Sequence, residues 1–424
     1  MTVASLHTPL RAAFRWCALL TLCAAPTQWT LIQNPRLGLA DVLLVVTAGL
    51  WGLGILLRRD WRGLWAARPH WTHLLFTLCA GAAVFAAEDK KEAVKEVIQI
   101  AEYFIVGAMV FAAFLNDEAR AEKRLPVFGA LAAVTAGILS LAAVQYFSPD
   151  GHNSIALFAE AKTLNIIENV LGGRESPLLV GGTFGNRNVL GGFLALALPL
   201  CFAGVLGGAR GWPAKAGCAA LVLAGLALNL SGASYWAVVV AVAAMAATRG
   251  AKWFIPVAAA LVLWQGLVLP RLPRENDMCH HESAALYDNA GQVTRRYPEW
   301  QAAASMILTH PCLGVGPGNY QKQVGQYYAQ VPNATGPAEP DIQNLYLVLG
   351  ASCGLPALLA FLAMLSTALT GALRANRLGA AFAVAAFAAV AVWHPLLVRG
   401  IGLPLVFVLV LSRHLTQEKT NDGF

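Results

Sequence analysis

The chain has 424 residues, of which 57% are hydrophobic and only 12% charged, about half the charged share of a soluble domain. No soluble fold of that length hides so much apolar surface, and no compact basic domain accompanies the net charge of +7, so nucleic acid is set aside as a partner. Alternation of apolar and polar residues at strand spacing is absent, which excludes a membrane β-barrel and leaves an all-α integral membrane protein, a single polytopic domain over 1–424.

Taken in chain order, Arg11 and Arg15 precede an apolar run that continues to about Ile32. It has the outline of a secretion signal but no convincing cleavage site, so it reads as a retained first helix. A hydrocarbon core about 30 Å thick needs roughly 20 apolar residues per helix. Runs of that kind predict twelve transmembrane helices, near 14–33, 39–57, 71–87, 97–115, 126–147, 183–206, 214–231, 233–248, 253–269, 342–370, 378–398 and 400–413. Pro395, Gly400 and Pro404 leave the last two open to being one interrupted pair instead. More than half of the 30 basic residues fall on segments that one orientation makes cytoplasmic. The bias of Lys and Arg toward the inside therefore predicts a multi-pass inner-membrane protein with both termini in the cytoplasm.

Two connections are long, 148–182 and 270–341, and both fall on the periplasmic side; segments of this length usually carry function. The second lies between spans nine and ten. Apolar residues from Tyr297 to Leu308 recur at helical spacing, so it is expected to be a folded, helical loop. Of the eight cysteines, only Cys279 and Cys312 lie in it, a candidate disulfide in an oxidising compartment. Cys279, His280, His281 and Glu282 are too close in sequence to wrap one tetrahedral ion, and no metal or cofactor is expected.

Three polar clusters are candidates for chemistry. Arg295 and Arg296 head the amphipathic stretch Tyr297-Pro298-Glu299-Trp300, where guanidinium forks suit a phosphate arriving in the membrane plane. A solvated pair bridged to Glu299 or Asp288 is the plainer reading. The run Gly314-Val315-Gly316-Pro317-Gly318-Asn319-Tyr320 has no Lys followed by Ser or Thr, so it is a tight turn and not a phosphate-binding loop. The second cluster, Gly181-Gly182-Thr183-Phe184-Gly185-Asn186-Arg187-Asn188, opens the sixth span. Polar residues at such a helix end mark a site, unless Arg187 merely extends to the interface. The third, Glu339, Asp341, Gln343, Asn344 and Tyr346, leads into the tenth span.

Taken in chain order, the clusters resemble the O-antigen ligase and polymerase superfamily, membrane glycosyltransferases that take glycans from a polyprenyl diphosphate. The run at 182–188, the region from Arg295 through His310-Pro311 to Tyr320, and Asn344-Leu345-Tyr346-Leu347 carry the likeness. It implies a GT-C-like helical bundle and metal-independent transfer of a glycan to an acceptor hydroxyl at the periplasmic face. The acceptor would be lipid A-core, another glycan or a protein, with membrane lipids as surroundings. Arg187 and Arg295, helped by Arg296, would bind diphosphate, while Gln343 and Asn344 position sugar or acceptor. Glu339 or Asp341 would serve as base, and Asn186, Asn188, Asn319 and Tyr320 would complete substrate binding.

The chain departs from the family's pattern twice. Gln343 stands where family members usually have His, and Leu230-Ser231-Gly232-Ala233-Ser234-Tyr235 lacks an Arg that often follows Ser there. Gln cannot exchange a proton near neutral pH as imidazole does. Beside the ligase reading stand a polymerase or protein O-oligosaccharyltransferase and, from another class, a silent export scaffold or a transporter. Against a transporter, charged residues are almost absent from the middles of the spans, Glu102 being the main exception.

Overall fold

A computed structural model describes residues 3–33, 36–119, 121, 125–147, 181–184, 186–208, 211–229, 231–268, 289–332 and 343–413. The first half begins with α1 (Val3–Ala24), a short antiparallel pair β1 (Thr30–Gln33) and β2 (Arg36–Gly38), α2 (Leu39–Arg58), α3 (Trp61–Ala66) and α4 (Trp71–Ala82). Next come α5 (Lys90–Ala101), a π-helical turn (Glu102–Gly107) that holds Glu102, α6 (Ala108–Ala119) and α7 (Val127–Phe147). The second half has α8 (Arg187–Ala203), α9 (Trp212–Leu228), α10 (Gly232–Thr248) and α11 (Ala251–Leu263). It ends with α12 (Asn289–Thr309), α13 (Tyr320–Tyr328), α14 (Leu345–Arg374), α15 (Leu378–Val390) and α16 (Arg399–Arg413).

Helices occupy all twelve apolar runs. Among the described residues, five helices are long and apolar enough to cross a membrane by length and composition: Leu39–Arg58, Lys90–Ala119, Val127–Gln145, Arg187–Leu206 and Leu345–Arg374. Six more apolar helices are shorter. Val45, Leu78, Val240 and Val262 point outward and exposed, as side chains facing lipid do. Trp61, Trp65 and Trp71, also exposed, cluster where α3 and α4 begin, as in an interfacial aromatic belt.

Two predicted helices are shorter than expected. The first ends at Ala24, not near 33: Pro26 cannot continue the hydrogen-bond ladder, Gln28 turns left-handed (φ 55°), and the chain leaves as β1. The eleventh stops at Val390, and residues 391–398 form a turn around Pro395 before α16. The last two spans are thus a pair separated by a break.

The centre of the bundle is α8 packed against α10 and α15, with α14 alongside. Close approach rests on small residues, because lipid gives helices no hydrophobic reason to associate. A Cβ on Gly191 would strike Ser234 of α10, and one on Gly192 would lie 2.7 Å from Leu396 in the turn.

The tenth predicted span carries the long connection on its own backbone. α14 breaks at Gly354 (φ 81°, ψ 168°), which frees carbonyls from the helical ladder. Ala351 O and Ser352 O accept instead from Val315 N and Gly316 N, both at 2.9 Å, and Leu355 N donates to Pro311 O at 2.8 Å. Gly314, Gly316 and Gly318 all have positive φ, so the cluster is the tight turn its composition suggested. Behind it Ala302, Ala303 and Met306 of α12 and Tyr320, Val324 and Tyr328 of α13 form a second core with Ala351, so the described part of this connection, 289–332, is folded and helical.

Substituting Gly354 tests that attachment, since an added Cβ would collide with Cys312 O in a backbone conformation that disfavours side chains. Gly354→Ala should destabilise the protein by about 2–3 kcal/mol. In Gly49→Ala, where an added Cβ meets nothing within 4 Å, stability should hold or rise. Thermal unfolding of both variants in detergent measures the contrast, and equal midpoints would refute the account.

Candidate active site at the break between the last two helices

A helix that ends inside an apolar bundle leaves carbonyls without partners, and the end of α15 and the turn after it find them in two other segments, the start of α14 and α12. Ala391 O accepts from Leu345 N at 2.9 Å, and Ala388 O accepts from the Tyr346 hydroxyl at 2.7 Å, which fastens the start of α14. Trp393 O accepts from Arg296 Nη1 at 3.4 Å. The same guanidinium lies 6.0 Å from the Trp393 ring centroid, and the Trp300 ring packs on that indole at 5.8 Å. Arg296 and Trp300, one helical turn apart, thus clamp α12 to the turn.

The next residue, His394, is 4% exposed. Its Nδ1 lies 3.3 Å from Gln343 Oε1 and its Nε2 3.1 Å from Ser231 Oγ, which also accepts from Ser234 Oγ at 3.4 Å. An amide oxygen only accepts, so in a neutral ring Nδ1 carries the proton and Nε2 accepts from the serine hydroxyl. The ring lies in the turn outside the helices. Burial first, then the charges of Arg296 and Arg187, hold it neutral, its pKa pushed down to about 3. Two arginines from separate elements therefore act on one imidazole.

Each nearby helix begins with a cap that the sequence supplies. Asn186 Oδ1 accepts from Asn188 N at 2.8 Å and Val189 N at 3.4 Å, which places half-buried Arg187 as the first residue of α8. Asn344 Oδ1 accepts from Leu347 N at 3.1 Å and starts α14. Helix N-termini carry partial positive charge and suit anions. Behind them, Asn229 is 5% exposed, and neither end of its amide has a hydrogen-bond partner among the described residues.

The structure thus brings Arg187, Arg296, Gln343 and Asn344 to one turn, with the caps Asn186 and half-buried Asn188 at the head of α8. Asn319 and Tyr320 belong elsewhere in the fold. Fully buried Asn319 accepts from Asp89 N at 2.8 Å and donates to Asp89 O at 3.2 Å and Pro317 O at 2.9 Å, while Tyr320 sits in the second core. Arg295 lies on α12, but its side chain is outside the described residues, as are Gly185, Cys279 to Glu282, Glu339 and Asp341. His394, Ser231 and Trp393 were not among the sequence candidates. The available signal was an ionisable residue inside an apolar run, which is expensive there and marks function by default.

Fold and site together define a polytopic helical membrane protein in which two arginines and a buried histidine gather at the turn between its last two helices. Residues 188–362 match the family model described as O-antigen ligase. That stretch is similar to the O-antigen ligase family, in agreement with the resemblance read from the sequence. No curated protein matches the chain. The match ends before His394, so the residue that links the two departures from the family pattern lies beyond it.

The Ser231–His394–Gln343 chain can be measured. His394→Ala removes the partner of the buried Ser231 hydroxyl and a contact of the half-buried Gln343 amide and should cost about 1–3 kcal/mol. A double-mutant cycle with Ser231→Ala should return a coupling of at least about 0.5 kcal/mol. Strict additivity in thermal or denaturant unfolding would mean that the two side chains do not interact.

Proposed function

We propose that the protein is a membrane glycosyltransferase that moves a glycan from a polyprenyl diphosphate carrier to an acceptor hydroxyl, in the manner of an O-antigen ligase, at the periplasmic face of the inner membrane. The observation that carries this reading is the convergence of Arg187 and Arg296 on the His394 turn, beside the N-termini of α8 and α14. A diphosphate-linked sugar is already activated, so catalysis consists mainly in stabilising the departing diphosphate and orienting the acceptor. Fixed positive charge in a site shielded from water does the first. Distribution of Lys and Arg supports the orientation, with both termini in the cytoplasm.

In this reading the acceptor oxygen bonds to the anomeric carbon as the bond from that carbon to the diphosphate oxygen breaks, and the diphosphate keeps the electron pair. The acceptor proton passes to Ser231 Oγ as the serine gives its own proton to His394 Nε2. Gln343 orients the ring by accepting from Nδ1–H. Bound diphosphate offsets the arginine charges that depress the imidazole, so the ring becomes a better base when the donor is present. Glu339 and Asp341 stay as alternative bases, and Arg295 as a further diphosphate ligand.

In membranes supplied with a polyprenyl diphosphate-linked glycan, Arg187→Ala and Arg296→Ala should each lower transfer about a hundred- to a thousandfold. His394→Gln should lower it about a hundredfold or more and abolish the rise of rate with pH that a titrating base imposes. Full transfer by both arginine variants would overturn the proposal; an unchanged His394→Gln profile would return the base to Glu339 or Asp341. Which molecule gains sugar separates ligase from polymerase and protein glycosyltransferase.

A further inference from the structure

At the end of the bundle opposite the His394 turn, the start of α4 and the ends of α6, α14 and α16 enclose a cavity of about 680 Å³. Arg68, Arg374 and Arg413 line it together with His70 and His73, and among the described residues no Asp or Glu is in its walls. The two acids that follow the lining residue Asn116 are engaged elsewhere: Asp117 pairs with Arg11 and Glu118 with Arg15, both at 2.6 Å.

Arg413 is the inner member of the trio. It donates to Met364 O at 2.8 Å, to Thr72 Oγ1 at 3.4 Å, to Thr367 Oγ1 and to His73 Nδ1 at 3.3 Å. Because His73 accepts at Nδ1, its proton sits on Nε2. That N–H belongs to a ring 1% exposed and has no hydrogen-bond partner among the described residues. Unsatisfied donors are rare in protein interiors and call for a ligand or water. The arginines at the rim, Arg68 and Arg374, are exposed.

Leu74, Ala108, Ala112 and Val410 give the cavity an apolar side, while Asn116, Thr367 and Thr370 add polar groups elsewhere in its lining. A cationic floor beside an apolar wall, between helices of a membrane protein, fits a phosphate that is carried on acyl chains. We propose that this cavity binds the headgroup of an anionic phospholipid, with the phosphate at Arg68, Arg374 and Arg413 and an acyl chain against Leu74 and Val410. A free phosphate shares the anionic chemistry but has no use for the apolar wall. The site lies at the far end of the bundle from the His394 turn and stands or falls independently of the glycosyltransferase reading.

The test uses the full chain, delipidated in neutral detergent, and follows its thermal midpoint against added phosphatidylglycerol, phosphatidylcholine or inorganic phosphate. Phosphatidylglycerol should raise the midpoint saturably and phosphatidylcholine should not. In the double variant Arg68→Gln/Arg374→Gln, whose substitutions are exposed and spare the buried contacts of Arg413, the apparent affinity should fall about fivefold for each arginine removed. Arg413→Gln, if it folds, should lose the response altogether. Equal responses to the two lipids, or an unchanged response in the double variant, would overturn the site. Saturation by millimolar inorganic phosphate alone would assign it to a soluble anion and overturn the lipid.

Discussion

Broken helices with carbonyls that must find hydrogens govern this structure. In water such a break costs little, because solvent completes the bonds; inside an apolar bundle each unmatched group costs several kcal/mol. After Val390 the freed carbonyls are met by Leu345 N, the Tyr346 hydroxyl and Arg296, and at Gly354 they are met by Val315 N and Gly316 N. The breaks therefore recruit the long connection and the start of α14, and they decide where a polar site can exist. A pair of uninterrupted helices would have satisfied its own backbone and held neither segment.

Charge follows from that placement. Arg296 reaches the turn because Trp393 O needs a donor and the indole offers a face; Arg187 heads α8 because Asn186 caps the helix one residue earlier. Both cations then act on an imidazole whose hydrogen-bonding partners, Ser231 and Gln343, are uncharged. The ring stays neutral and keeps a lone pair, the state a proton acceptor requires. Burial does most to keep the ring neutral and the two arginine charges add to it, so an anion bound beside them would offset only that second contribution.

Much of the architecture was legible, because a span is announced by the length of its apolar run and a loop by its polar residues. The helical reading of Tyr297–Leu308 lies inside α12, and the glycine cluster is the tight turn its composition implied. Breaks were harder to place. Residues 391–398 are apolar enough to continue a helix, and what stops it is Pro395 acting with contacts from α12 and α14, which are remote in sequence. The end of α1 at Ala24 shows the same effect, since the hydrophobic run continues while Pro26 and Gln28 turn the backbone. At the site, Arg187, Arg296, Gln343 and Asn344 could be named because polar residues at helix ends stand out. For His394 the sequence offers only an ionisable residue inside an apolar stretch, and its role stays hidden because its partners lie 163 and 51 residues away. Asn319 was singled out for its polarity alone, yet its amide is occupied in holding Asp89.

The two departures from the family pattern bear on one another. Gln343 and the Ser231 segment are far apart in the chain, and read separately each is a loss: a proton carrier in one place, a positive charge in the other. His394 touches both, which makes them two ends of one hydrogen-bonded chain. A further arginine beside Ser231 would add positive charge next to an imidazole that already feels Arg187 and Arg296, and would weaken it as a base still more. A histidine at 343 would face that ring and compete with it for the single proton between them, whereas the Gln amide oxygen only accepts and so leaves the tautomer of His394 defined. Given an imidazole at 394, an uncharged residue at 343 and no arginine at the hairpin are the choices that keep its lone pair available.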